Sequence, residues 1–299
     1  MKGEVVVGGV RFANPVLAAS GTFGYGVEFK GIANRLGGIV TKGVTLEERA
    51  GNPPPRIAEV PSGIVNSVGL ENPGLIKFKR QILPKLKKIK TRILVNVAGF
   101  EVDEFIRLAE GLEEENIDGL ELNLSCPNVS EGGAVFGQTP QKVEEITRAV
   151  RKRTKKLLVV KLTANFVDPR ETAKAAEAAG ADAVTVINTL YGLILDDNGR
   201  PFLGGRTGGI SGPAIKPFAL FCVDRVAAAV KIPVIGCGGI ISGRDAFDFL
   251  CAGARLVQVG SANLTAPNGA LRVLQELKII ISEKRIKGWE SIVGTARRG

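Results

Sequence analysis

The sequence predicts an α/β protein built as a (β/α)8 TIM barrel, with an N-terminal β-hairpin plug and long loops at the C-terminal face of the barrel. Eight short β-branched runs alternate with amphipathic helical stretches, which implies parallel βαβ units. Eight such pairs within 299 residues suit a closed barrel better than an open sheet. Glycine clusters end the last two strand runs, where such barrels often bind phosphate.

The leading Glu4–Phe12 stretch reads as a hairpin with Gly8-Gly9 as its two-residue turn, placed to plug the bottom of the barrel. Barrel strands are expected at Val16–Ala19, Gly38–Lys42, Ile93–Val97, Gly119–Leu124, Leu157–Leu162, Ala183–Ile187, Pro233–Gly236 and Arg255–Val259. Helical patterns lie at Val27–Leu36, Gly74–Lys88, Val102–Glu115, Pro140–Lys155, Pro169–Ala179, Ile215–Val230, Gly243–Ala252 and Asn268–Glu283. Asp168-Pro169-Arg170-Glu171 has the form of a helix start, with Asp as N-cap and Pro in the first turn. Gly43–Asn72, Ser125–Thr139 and Asn188–Ala214 read as long loops, and long loops inside a compact domain tend to be functional. No linker, repeat or low-complexity segment interrupts the pattern, so residues 1–299 are expected to form a single domain.

Composition removes several chemistries. Histidine is absent, which excludes a histidine triad, an imidazole base and an imidazole metal site. Cys126, Cys222, Cys237 and Cys251 form no C-x-x-C pair, so no metal site is expected and free thiols point to a reducing compartment. No apolar run approaches a membrane span, and Met1-Lys2-Gly3-Glu4 lacks the features of a signal peptide; a cytoplasmic location without membrane association is expected. Net charge is +10, with basic blocks at Lys77–Arg92 and Arg151–Lys156. With one Trp and two Tyr available for base stacking, these blocks read as solvated helix faces, and no nucleic acid partner is expected.

Acid–base chemistry must therefore come from Cys, Lys, Asp, Glu or Tyr, or from a cofactor. Cys126 sits just past the Gly119–Leu124 strand, stiffened by Pro127 and flanked by Asn123 and Asn128; a reacting thiol and a buried structural cysteine are both open readings. Gly238-Gly239 and Gly260-Ser261 follow the seventh and eighth strands and let backbone approach a phosphate closely. Lys42 and Lys161 end or occupy apolar strands, where a lysine needs a partner; an anionic ligand supplies one, and Lys161 as a Schiff-base nucleophile is the alternative. Asn66, Asn96, Asn123 and Asn188-Thr189 would ring the barrel mouth with donors and acceptors suited to a flat polar ligand.

Asn66-Ser67-Val68-Gly69-Leu70-Glu71-Asn72-Pro73-Gly74 and Asn123-Leu124-Ser125-Cys126-Pro127-Asn128 resemble the dihydroorotate dehydrogenases, and the resemblance runs from Asn14-Pro15 to Gly260-Ser261-Ala262. It implies a (β/α)8 barrel carrying one FMN per chain and oxidising (S)-dihydroorotate to orotate in pyrimidine biosynthesis. It also implies that Ser20, Gly21, Lys42, Gly43, Asn96, Asn123, Lys161 and Ile187 line the flavin, and that Gly212, Gly238, Gly239, Gly260 and Ser261 hold its phosphate. Lys42, Asn66, Ser67, Val68, Gly69, Leu70, Asn123, Asn188 and Thr189 would grip the substrate; Cys126 would be the general base, with Lys42 and Lys161 as the other catalytic groups. A cysteine base and a chain that starts at the barrel resemble class 1 of the family. Within it, Asn128-Val129-Ser130-Glu131-Gly132-Gly133 resembles the subgroup that pairs with an iron–sulfur subunit and passes electrons to NAD. Since the chain has no cluster motif or G-x-G-x-x-G nucleotide fingerprint, FAD and a [2Fe-2S] cluster are expected on that partner, with a homodimeric core in a heterotetramer. The alternatives are a fumarate-linked homodimer, another FMN barrel reducing a dihydropyrimidine or dihydrouridine, an aldolase using Lys161, and a flavin-binding scaffold.

Overall fold

The structure, a computed structural model, describes residues 3–124 and 136–298. The chain enters through hairpin β1 (Val5–Val7) and β2 (Val10–Phe12), then forms β3 (Val16–Ala18) and β4 (Gly38–Val40). A second hairpin, β5 (Ile57–Val60) and β6 (Gly63–Asn66), precedes β7 (Arg92–Val97), β8 (Gly119–Asn123), β9 (Leu157–Leu162) and β10 (Ala183–Val186). The chain continues through β11 (Leu190–Leu193) and β12 (Thr207–Ser211) to β13 (Val234–Cys237) and β14 (Ala254–Val259). β3, β4, β7, β8, β9, β10, β13 and β14 are parallel neighbours in that order, and β14 pairs back onto β3, so the predicted eight-stranded barrel is closed. Every residue of β8 and of β9 is buried, as expected for strands covered on both faces. The covering helices contribute apolar stripes; in Val102–Glu113 the buried residues are Phe105, Leu108, Ala109 and Leu112, spaced i, i+3, i+4, i+7. Burying each Leu or Phe of such a stripe contributes roughly 1.5–3 kcal/mol.

The N-terminal hairpin closes the amino end of the barrel. Gly8 and Gly9 have φ of 53° and 80°, the left-handed pair that a tight hairpin turn needs. Gly8 also lies against Leu157 and Asp182 so closely that a Cβ would come within 2.4 Å of the Leu157 side chain. The opposite, carboxyl end is left free for long connections.

Three local expectations need correction. The helix expected at Val27–Leu36 is a single turn, Lys30–Ala33, and the one expected at Gly74–Lys88 is Gly74–Lys77 and Leu83–Leu86 separated by a π turn, Phe78–Ile82. Pro84 explains the break: it has no N–H for the carbonyl one turn back, and the chain widens so that Leu83 N–H reaches the Phe78 carbonyl instead. The third correction concerns the stretches read as loops at Gly43–Asn72 and Asn188–Ala214. Together they build a four-stranded antiparallel sheet in the order β11-β12-β6-β5, standing over the barrel mouth.

The basic blocks are laced to acids of neighbouring elements. Arg92 pairs with Asp118 at 2.9 Å, Lys79 with Glu115 at 3.1 Å, Arg151 with Asp182 at 2.9 Å and Arg153 with Glu110 at 3.3 Å. Among the described residues, no helix is long and apolar enough to cross a membrane. Cys222, Cys237 and Cys251 are free thiols.

Helix Pro169–Ala178 starts as predicted, with the Asp168 carboxylate accepting from Arg170 N–H at 2.9 Å. A side-chain hydrogen bond from Arg170 is the main reason the Asp168 pKa falls to about 2. A depressed carboxyl contributes stability above its unfolded value and loses it as pH falls through the folded one. Asp168→Ala is expected to cost about 1 kcal/mol at neutral pH, and thermal unfolding should show this gap shrinking below pH ~4 and closing as pH reaches about 2. A gap that does not change with pH would show that the charge contributes nothing to the cap.

Candidate active site

A cavity opens at the carboxyl end of the barrel, and all eight barrel strands deliver residues to it. Ser20 and Gly21 follow β3; Lys42 and Gly43 follow β4; Asn96, Asn123 and Lys161 lie on β7, β8 and β9. Ile187, Asn188 and Thr189 follow β10, Cys237 ends β13 ahead of Gly238 and Gly239, and Gly260 and Ser261 follow β14. The sheet over the mouth adds Asn66, Val68, Gly69 and Leu70. Two residues expected in the site stand beside the lining rather than on it. Ser67 is fully buried and its hydroxyl accepts from Asn52 Nδ2 at 3.0 Å. Gly212 backs onto Gly63, whose Cα would lie 2.7 Å from a Cβ there. Cys126 and the 128–133 loop lie outside the described residues.

The floor of the cavity is organised by a residue that the sequence reading passed over. Glu121 points into the barrel from β8 and is completely buried. Its Oε1 accepts from Asn96 Nδ2 at 2.8 Å and its Oε2 from Thr185 Oγ1 at 2.9 Å and Gln258 Nε2 at 2.5 Å. The Lys161 ammonium, only 4% exposed, lies 4.0 Å from Oε1 and donates to Ser20 Oγ at 3.3 Å. Since a buried charge is kept only when paired and hydrogen-bonded, Glu121 and Lys161 explain each other. A signal for Glu121 was present in the sequence: it stands two residues before Asn123, on the same face of an otherwise apolar strand. Above it, Asn123 Nδ2 donates to Asn96 Oδ1 and Asn188 Nδ2 to Asn123 Oδ1, each at 3.5 Å, in a ladder of amides rising toward the mouth.

At the mouth Lys42 is 3.5 Å from Glu71, whose other oxygen receives Arg56 at 2.5 Å. Arg56 also donates to the Asn52 and Ala50 carbonyls and so fixes the segment that carries Gly51 and Asn52. Asn72 holds the next turn, bonding to Thr45, Gly74 and the Leu70 carbonyl. Asn165 does the same for the stretch after β10, donating to the Thr189 carbonyl and accepting from Tyr191 N–H. These supporting residues were missed because their partners are distant in sequence. Cys237 also faces the cavity; burial pushes its thiol up, against the pull of Lys161, and it stands there as a neutral group.

The donor set suits a flat heteroaromatic ligand with a phosphate. Amides and a buried ammonium form the floor, Ile187 and Leu264 give apolar walls, and glycine backbone forms the end by β13 and β14. Gly239 has φ of 75° and a Cβ there would meet the Lys216 backbone nitrogen at 2.7 Å, so only glycine lets this loop lie flat on the helix behind it. Fold and site together define a (β/α)8 barrel enzyme with a glycine-lined strand end and a lysine-bearing polar floor. A sequence model of the family described as dihydroorotate dehydrogenase matches residues 3–281. The chain is 47% identical over 295 residues to a protein of Bacteroides fragilis named "Dihydroorotate dehydrogenase B (NAD(+)), catalytic subunit", covering 97% of both. A protein of the same name from Thermoanaerobacter pseudethanolicus is 45% identical over 297 residues, covering 98% of both. The crystal structure of a dihydroorotate dehydrogenase from Eimeria tenella in complex with ferulenol superposes with a TM-score of 0.81 at 25% identity, over 99% of this chain and 89% of that one. The chain belongs to the dihydroorotate dehydrogenase family, whose members are flavin-dependent oxidoreductases.

Proposed function

We propose that this chain is the catalytic subunit of an NAD-linked dihydroorotate dehydrogenase, binding one FMN and oxidising (S)-dihydroorotate to orotate in pyrimidine biosynthesis. The observation that carries the reading is the convergence of Lys161, Asn96 and Asn123 on one floor, with Lys42 above them at the mouth. Asn96, Asn123 and Lys161 would meet the pyrimidine edge of the flavin, with Ser20, Gly21, Gly43 and Ile187 around it. Gly238, Gly239, Gly260 and Ser261 would receive the phosphate, helped by Gly212 from behind the lining. FMN, when bound, supplies the acceptor for a hydride.

The remaining steps belong to the chain's own side chains. Lys42 would anchor the substrate carboxylate, exchanging part of its pairing with Glu71 for it. Asn66 and the Val68–Leu70 turn would hold one side of the ring, and Asn188 and Thr189 the other, with Ser67 buttressing the turn. Cys126 would take the proton from C5 as the C6 hydrogen leaves with its bonding electron pair, as a hydride. Lys161 would stabilise negative charge on the reduced cofactor, its own charge held in place by Glu121. The name of the relatives supports a partner subunit and NAD as final acceptor. We assign FAD and the [2Fe-2S] cluster to that partner, around a homodimeric core in the cytoplasm, with residues 1–299 acting as one domain.

The test is the visible spectrum of the purified chain before and after anaerobic addition of dihydroorotate. A flavin band that bleaches is the expected result. A band that persists would overturn the substrate, and a colourless protein that takes up no added FMN would overturn the cofactor.

A further inference from the structure

Lys216 opens helix Lys216–Ala229 directly behind the Gly238–Gly239 turn, its backbone within the reach of a Cβ at Gly239. Its ammonium donates to Asp245 Oδ1 at 2.5 Å and to Asp248 Oδ2 at 2.9 Å, both on helix Gly243–Cys251. The other oxygen of Asp245 accepts from Ile241 N–H at 3.0 Å, Ser242 N–H at 2.9 Å and Ser242 Oγ at 2.8 Å. One carboxylate therefore grips the lysine with one oxygen and the end of the β13 loop with the other. The helix behind the loop and the helix after it are tied together across the glycine turn.

Helix capping does not require the lysine, because Ser242 and Asp245 already form a complete capping box. Nor is Lys216 free to serve as an anion site. It faces two carboxylates, and Arg244 takes the remaining oxygen of Asp248 at 2.8 Å. Burial opposes the lysine's charge, but the two carboxylates outweigh it and its pKa is raised, so the tie persists at all physiological pH. What the lysine adds is a fixed spacing around a turn made of residues with left-handed backbone, Gly238 at φ 127° and Gly239 at φ 75°. Such glycines have many conformations available, and ordering them on binding costs affinity unless they are already held.

We propose that Lys216 and Asp245 form a positioning clamp that presets the Gly238–Gly239 backbone for the phosphate of the bound flavin. The proposal rests on the FMN reading given above, and the experiment separates the two. Flavin-free protein is titrated with FMN and with riboflavin, which lacks only the phosphate, and binding is followed by quenching of flavin fluorescence. Wild type should bind FMN more tightly than riboflavin; equal or absent binding would overturn the FMN reading itself. Lys216→Met should weaken FMN about 10-fold while changing riboflavin less than about 2-fold, and Lys216→Arg should recover most of the loss. The softer Asp248→Asn, which removes one of the two anchors, should weaken FMN alone by about 3-fold. If the variants weaken both flavins equally, or leave FMN unchanged while wild type prefers it, the clamp is overturned and the FMN reading stands.

Discussion

Replacing Glu121 with leucine is expected to lower the unfolding free energy of the flavin-free protein by roughly 3–5 kcal/mol. The change removes the counter-charge of Lys161, which is 4% exposed. It also leaves the Asn96, Thr185 and Gln258 donors facing hydrocarbon. Glutamine at 121 keeps the volume and one acceptor oxygen, but turns an amide NH2 toward a group that is itself a donor. That variant should lose roughly 1–3 kcal/mol. Urea unfolding followed by circular dichroism measures both. A leucine variant within about 1 kcal/mol of wild type would mean that Lys161 is held by something other than this carboxylate.

Replacing Cys126 with alanine should slow anaerobic flavin reduction by dihydroorotate by ~10²–10⁴-fold, the usual contribution of a positioned general base. FMN affinity should not change, since the thiol is assigned no part in holding the cofactor. A free thiol ionises near pH ~8.5, so the wild-type rate should climb between pH ~7 and ~9 and the alanine variant should lose that climb. Cys237 is the poorer substitute, because burial raises its thiol pKa and disfavours the thiolate. Stopped-flow absorbance measures the rate directly, and an undiminished rate in the alanine variant would exclude Cys126 as the base.

The barrel was legible because its strands are buried on both faces and so read as unbroken apolar runs; Leu157–Leu162 and Gly119–Asn123 are fully buried. The sheet over the mouth was not. Ile57–Val60 alternates between exposed and partly exposed residues, with no buried face to leave a period of two. Its register comes instead from β12, whose Gly209 lies opposite Asn66, 143 residues earlier in the chain. The polar lining was legible as residue types at strand ends, because Lys42, Lys161 and the asparagines are costly there without a reason. The supports behind them were not legible. Glu121, Asn72, Asn165 and the Lys216–Asp245 pair act through partners that only the closed fold brings near. The π turn at Phe78–Ile82 shows the converse: Pro84 was visible in the sequence, but its effect is to shift a register rather than to end the helix.

The β6–β12 pairing also bears on how substrate preference could be changed. The barrel strand ends carry most of the groups assigned to the cofactor, whereas Asn66 and Val68–Leu70 belong to the 43–72 stretch that contains β6, and Asn188 and Thr189 to the 188–214 stretch that contains β12. Those two stretches are stitched by Gly209 opposite Asn66, Ile210 opposite Val65 and Ser211 opposite Ile64. A graft of residues 43–72 alone from a relative with different specificity would set a foreign β6 edge against the resident β12. The transplantable cassette is therefore discontinuous: residues 43–72 together with 188–214, exchanged as a pair while the barrel beneath is left untouched.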